Sequence, residues 1–89
     1  MNIQPNERKN AVDTLRILLT PAEKAQLRRA IPRRIAGGWE NQEDARLGMR
    51  AKALLRRHGY TEHTLRVPNL ADVYVDLLME AVGCDPRQQ

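Results

Sequence analysis

The tetrapeptide Thr20-Pro21-Ala22-Glu23 constrains this chain more than any other four residues in it. A threonine hydroxyl accepts from the amide three residues on, a glutamate at that third position reaches back to the threonine amide, and the intervening proline sits where a helix has no donor to lose. The spacing predicts a helix starting at residue 21, which must also end whatever precedes it. Upstream, Pro5 and Asn6 start a helix over about 6–19. Its Val12, Leu15 and Leu19 fall on one face with Leu18 beside them, the stripe of an amphipathic helix, while Ile17 points elsewhere. Downstream, Leu27, Ile31 and Ile35 recur every four residues, so the second helix continues over 21–36. Pro32 kinks or breaks it, because the ring and the missing N–H interrupt the hydrogen-bond ladder, and Gly37-Gly38 ends it.

Asn41-Gln42-Glu43-Asp44 reads as a third start, an N-cap followed by acids on the positive end of a helix dipole. Leu47, Ala51, Leu54 and Leu55 form the buried stripe of a helix over 42–58. With Gly59 as the left-handed residue beyond its end, Tyr60 and Leu55 become the apolar pair of a Schellman motif. Residues 61–68 fit either a turn of helix or an extended connector, Pro68 pressing Val67 toward extended geometry. Asn69 then caps a last helix over 70–82, closed by Gly83. Leu70, Val73, Tyr74, Val75, Leu77, Leu78, Ala81 and Val82 cover well over half of its circumference, leaving a strip of Asp72, Asp76, Met79 and Glu80. A helix so widely apolar is either central to its own bundle or buried by a second chain, which makes a homodimer through 70–82 an expectation.

The absence of phenylalanine, with one tryptophan and two tyrosines, means that aliphatic side chains fill the core. That suits helix packed on helix better than a small sandwich of strands. The expected fold is therefore all-α, a compact bundle of four principal helices. At 89 residues it is one domain, 1–89, with a short arm at 1–5 and a tail at 84–89, since two halves would each bury too little surface.

Candidate chemistry is sparse. His58 and His63, with Glu62 adjacent, are the one cluster with acid–base potential, but no nucleophile or oxyanion site lies near them in sequence, and His58 suits the end of a helix. Gly37-Gly38 lacks the Lys-Ser/Thr of a phosphate-cradling loop. Cys84 stands alone beyond a helix C-terminus, where the dipole raises a thiol pKa, and no Cys/His spacing matches a zinc site. We therefore expect no enzyme, no metal and no cofactor. A single cysteine, an N-terminus without an apolar h-region and the lack of any run of ~20 apolar residues lead us to expect a cytoplasmic protein without a membrane partner.

Charge is the remaining signal. Net charge is +4, and between Lys24 and Arg57 ten bases stand against three acids, whereas residues 67–86 hold four acids and no base. Arg46, Arg50 and Arg57 align on one side of the third helix. Such a distribution marks a surface for an acidic protein or for phosphates, unless the arginine stems only solvate their helices or the acidic last helix cancels them. The helix over 42–58, Gly59 and Leu65 also resemble a helix-turn-helix, but Pro68 truncates the recognition helix at once. Trp39, in a glycine-flanked loop, either plugs the bundle's open end or anchors a partner. The sequence thus suggests a small regulator, adaptor or inhibitor, of the sort phages and mobile elements carry, that binds a larger acidic protein through Arg33, Arg34, Trp39, Arg46, Arg50 and Arg57. DNA or RNA bound by the same basic helices is the alternative.

Overall fold

The structure, a computed structural model, describes residues 3–34 and 38–83. Helix α1 spans Pro5–Leu18, α2 Pro21–Ala30, α3 Gln42–Arg57, α4 Glu62–Leu65 and α5 Tyr74–Val82, with 3₁₀ turns at Ile31–Arg33 and Leu70–Asp72 and no strand among the described residues. The fold is the expected all-α bundle, and four of its helices are longer than seven residues. Ile35, Gly37, Cys84 and the tail lie outside the described residues.

The punctuation follows the local chemistry. Glu23 N donates to Thr20 Oγ1 at 3.1 Å and Thr20 N to Glu23 Oε1 at 2.9 Å, so the capping box is complete and α2 begins at Pro21. Asn41 Oδ1 accepts from Asp44 N at 2.9 Å at the head of α3. At its tail, Tyr60 N donates to Leu55 O at 2.8 Å and Gly59 N to Arg56 O at 3.1 Å, the paired bonds of a Schellman motif. Gly59 takes φ +87°, a conformation in which a Cβ is strained.

Two open alternatives are decided and one expectation changes. The second helix does not merely kink: α2 stops at Ala30 and Pro32 sits inside a 3₁₀ turn, because proline has no N–H to return to the carbonyl four residues back. The span 70–82 is not one helix. Asn69 Oδ1 accepts from Ala71 N at 3.0 Å, a tight bond that favours a turn, and Val73 at φ −121° breaks the path before α5 starts at Tyr74. The open segment 61–68 contains α4, capped by Thr61 and stopped by Arg66 in the left-handed region at φ 57°. Within the expected arm, Ile3 is half-buried against the core.

The core is a leucine lattice: Leu15, Leu27, Leu55, Leu65, Leu70, Leu77 and Leu78 are the largest fully buried side chains. Each stabilises the fold by about 1.5–3 kcal/mol relative to an exposed position. Helix α5 occupies the centre, packed on α1, α2 and α3, and this explains its broad apolar arc within a single chain. Its C-terminal carbonyls are held by cations from two neighbouring helices: Arg28 Nε donates to Val82 O at 2.8 Å, and an Arg16 guanidinium N–H donates to Glu80 O at 3.2 Å. Lys24 Nζ does the same for α1, donating to Arg16 O at 3.0 Å. Basic side chains at helix C-termini satisfy orphan carbonyls and complement the dipole.

Candidate functional site

Helix α3 carries the most charge-dense surface because its two sides are sharply divided. Leu47, Ala51, Leu54 and Leu55 turn inward, while Arg46, Met49, Arg50, Ala53, Arg56 and Arg57 are exposed. Arg50 Nε reaches Glu23 Oε2 of α2 at 2.8 Å, and Arg56 grips Glu62 through two bonds of 2.8 Å. Arg46 and Arg57 make no ion pair among the described residues, nor does the exposed Arg33 in the 3₁₀ turn after α2. Met49, at the centre of this face, is 62% exposed, one of two large hydrophobic side chains so open to solvent among the described residues.

The six sequence-nominated residues do not form one cluster. Arg46, Arg50 and Arg57 share the outer face of α3, as their spacing requires. Trp39 lies on the other side of that helix, half-buried against Gly48. Its indole N–H donates to Tyr74 Oη at 3.1 Å, and the Arg34 guanidinium stacks 5.0 Å above its ring. This is the plug geometry: the ring closes the gap between the loop before α3 and the start of α5, with its one donor satisfied. Arg34 is engaged there as well, half-buried and folded over the indole. Two further residues, Gly48 and Met49, shape these surfaces. Gly48 matters because a Cβ at that position would stand 2.5 Å from Trp39 Cζ2. Met49 was legible in principle, falling three residues after Arg46 and one before Arg50 on the solvent side.

The acid–base candidates also have structural duties. Glu62 accepts from Arg56 and from the Leu70 amide, the latter at 3.2 Å. The bidentate Arg56 pair, followed by the Glu62 and Leu70 backbone amides, lowers its pKa from 4.5 to about 2. A carboxylate held that low is a weak proton acceptor, and its geometry is that of a clamp tying α3, α4 and the 3₁₀ turn at Leu70 together. The Thr20 amide, and then Arg50, hold the Glu23 carboxyl below its ordinary value against the opposing effect of partial burial. His58 is exposed at the C-cap of α3 and His63 is exposed on α4. Among the described residues no group of three or more His, Cys, Asp or Glu is placed to hold a metal ion, and no helix is long and apolar enough to cross a membrane. Helix α4, at four residues, is too short to lie along a groove of DNA as a recognition helix.

Comparison with protein-family models, with curated proteins and with solved structures finds no match. What the chain's own geometry defines is a small all-α bundle with an arginine-rich outer helix.

Proposed function

We propose that this protein is a non-enzymatic interaction module, a regulator, adaptor or inhibitor, that acts in the cytoplasm by seating the outer face of α3 on an acidic surface of a larger protein. The observation that carries the reading is Met49, 62% exposed amid Arg46, Arg50 and Arg57. Exposing a thioether costs apolar surface, and methionine and arginine are both enriched where proteins meet, the first because it adapts its shape and the second because it pairs with carboxylates in two places. Trp39 and Arg34, committed to the bundle, are not part of this face.

Capture from lysate treated with nuclease tests it. The wild-type chain is expected to retain a protein partner that a variant carrying Arg46→Glu, Arg57→Glu and Met49→Asp releases. Unchanged capture by that variant overturns the choice of face.

The exposed Arg33, Arg46 and Arg57, which make no ion pair among the described residues, also favour a second reading, binding to DNA or RNA. Phosphate contacts release counterions, so that reading requires affinity that drops steeply with added salt. A mobility shift absent at low salt removes it.

A further inference from the structure

Beside α5 runs a shallow groove of about 510 Å³, floored by Ile31, Pro32, Val75 and Met79 and edged by Asp72 and Asp76. Both aspartates are exposed and make no ion pair among the described residues. Val75 and Met79 are half-buried, packed on the core from one side and open to the groove on the other. Asp72, Val75, Asp76 and Met79 therefore present acid, apolar, acid, apolar at intervals of three, one and three residues. The outer face of α3 presents Arg46, Met49, Arg50 and Ala53 at the same intervals, as base, apolar, base, apolar. The two surfaces belong to one chain, are both open to solvent, follow the same order along the sequence and carry opposite charge, with Asp72 supplied by the 3₁₀ turn and the other three groove residues by α5.

We propose that the groove beside α5 takes the α3 face of a second copy of this chain. Met49 and Ala53 of one copy lie over Val75 and Met79 of the next, and Arg46 and Arg50 meet Asp72 and Asp76. Arg50 can do so without releasing Glu23, because its Nε makes that bond and a guanidinium has four further N–H donors. Arg34 also borders the groove, and its charge is drawn aside over the Trp39 ring. The donating face and the receiving groove differ, so the contact is heterologous: each docked pair keeps one open face and one open groove, and assembly proceeds head to tail. Four side chains meet four here, against the roughly 20–30 residues a side of a standard stable complex, so association is weak, favoured by high protein concentration and reversed by salt. Self-docking covers the α3 face on which the proposed partner binding rests, so the two events compete.

Light scattering and sedimentation across a concentration series, at low and high salt, test this on the whole chain. The wild type is expected to exceed its monomer mass of 10.2 kDa at high concentration and low salt, and to return to it when salt is raised. A face variant (Arg46→Gln, Met49→Gln, Arg50→Gln) and a groove variant (Asp72→Asn, Asp76→Asn) are each expected to stay monomeric, with circular dichroism confirming that both fold. Mixed in equal amounts, they retain one working face and one working groove and are expected to form a pair that grows no further. A wild type that stays monomeric at the highest concentration overturns the proposal, as does assembly indifferent to either variant or a mixture that does not pair. Partner capture that still depends on Arg46 under a monomeric wild type would leave the external-partner reading standing while this one falls.

Discussion

Replacing Gly48 with alanine sets a local gain against a distant loss. In a helix interior alanine is favoured over glycine by about 1 kcal/mol, and α3 continues without interruption through residue 48. The added Cβ, however, would stand 2.5, 2.7 and 2.9 Å from Cζ2, Cε2 and Nε1 of Trp39. Carbon atoms prefer roughly 3.5–4.0 Å, so the ring must retreat by about 1 Å. Retreat stretches the hydrogen bond to Tyr74, costing about 1 kcal/mol, and loosens the Arg34 stack, costing about 0.5–1 kcal/mol. Exposing on the order of 60 Å² of indole adds about 1.5 kcal/mol at 25 cal/mol per Å². The losses come to about 3 kcal/mol against a gain of about 1, a net destabilisation of about 2 kcal/mol. In a domain of this size that lowers the melting temperature by about 8–16 °C. Trp39 is the one tryptophan, so its emission reports the same event and is expected to shift to the red. With Trp39→Ala already in place the sign should reverse, alanine at 48 then stabilising by about 1 kcal/mol, as circular dichroism melts of the four chains of the cycle will show. A Gly48→Ala protein that melts higher than wild type with unchanged emission would refute the wedge.

Other expectations follow from the same contacts. Because the folded pKa of Glu62 is depressed, its contribution is present above the ordinary value of 4.5 and lost as pH falls toward about 2, so urea midpoints of wild type and Glu62→Gln should differ at neutral pH and converge in acid. A gap that widens on acidification would contradict the clamp. Thr20→Ala removes half of the capping box and should cost about 1 kcal/mol in chemical denaturation, whereas Thr64→Ala, which leaves the cap from Thr61 intact, should cost less. Leu77→Ala, at a fully buried position on the central helix, should cost about 2–5 kcal/mol, while Ile17→Ala, at 79% exposure, should leave the melt within about 0.5 kcal/mol of wild type.

The parts of the fold legible in the sequence were those whose cause lies within a few residues. The box at Thr20–Glu23, the Asn41 cap and the Gly59–Tyr60 stop each complete their bonds inside six residues, and each is where its residues place it. The break at Val73 was less visible, because its apolar neighbours fit a helix as well and only the geometry of the Asn69 bond selects a turn. Contacts between distant residues were not legible. Trp39 meets Tyr74 across 35 positions and Arg28 meets Val82 O across 54, and no local spacing encodes either. The arginine face shows the same limit. Its alignment on α3 follows from helical periodicity, but a tally of bases cannot reveal that Lys24 and Arg28 terminate helices, that Arg34 covers an indole, or that Arg50 and Arg56 hold carboxylates.

Two kinds of polar stitching run through the bundle, and they answer acid differently. Helix α3 is fastened to α2 and α4 by Arg50–Glu23 and Arg56–Glu62, whose acceptors titrate. The end of α5 is fastened to α1 and α2 mainly by Arg16 and Arg28 on backbone carbonyls, which do not, with one longer carboxylate pair, Arg8–Glu80 at 3.5 Å, beside them. The molecule therefore has one seam tied through carboxylates and one tied mainly through carbonyls that acid leaves unchanged. As pH drops, amide protection, measured against the intrinsic exchange rate at each pH, should fall first where α3 adjoins its neighbours, while α1, α2 and the end of α5 stay joined as a smaller unit that outlasts the whole.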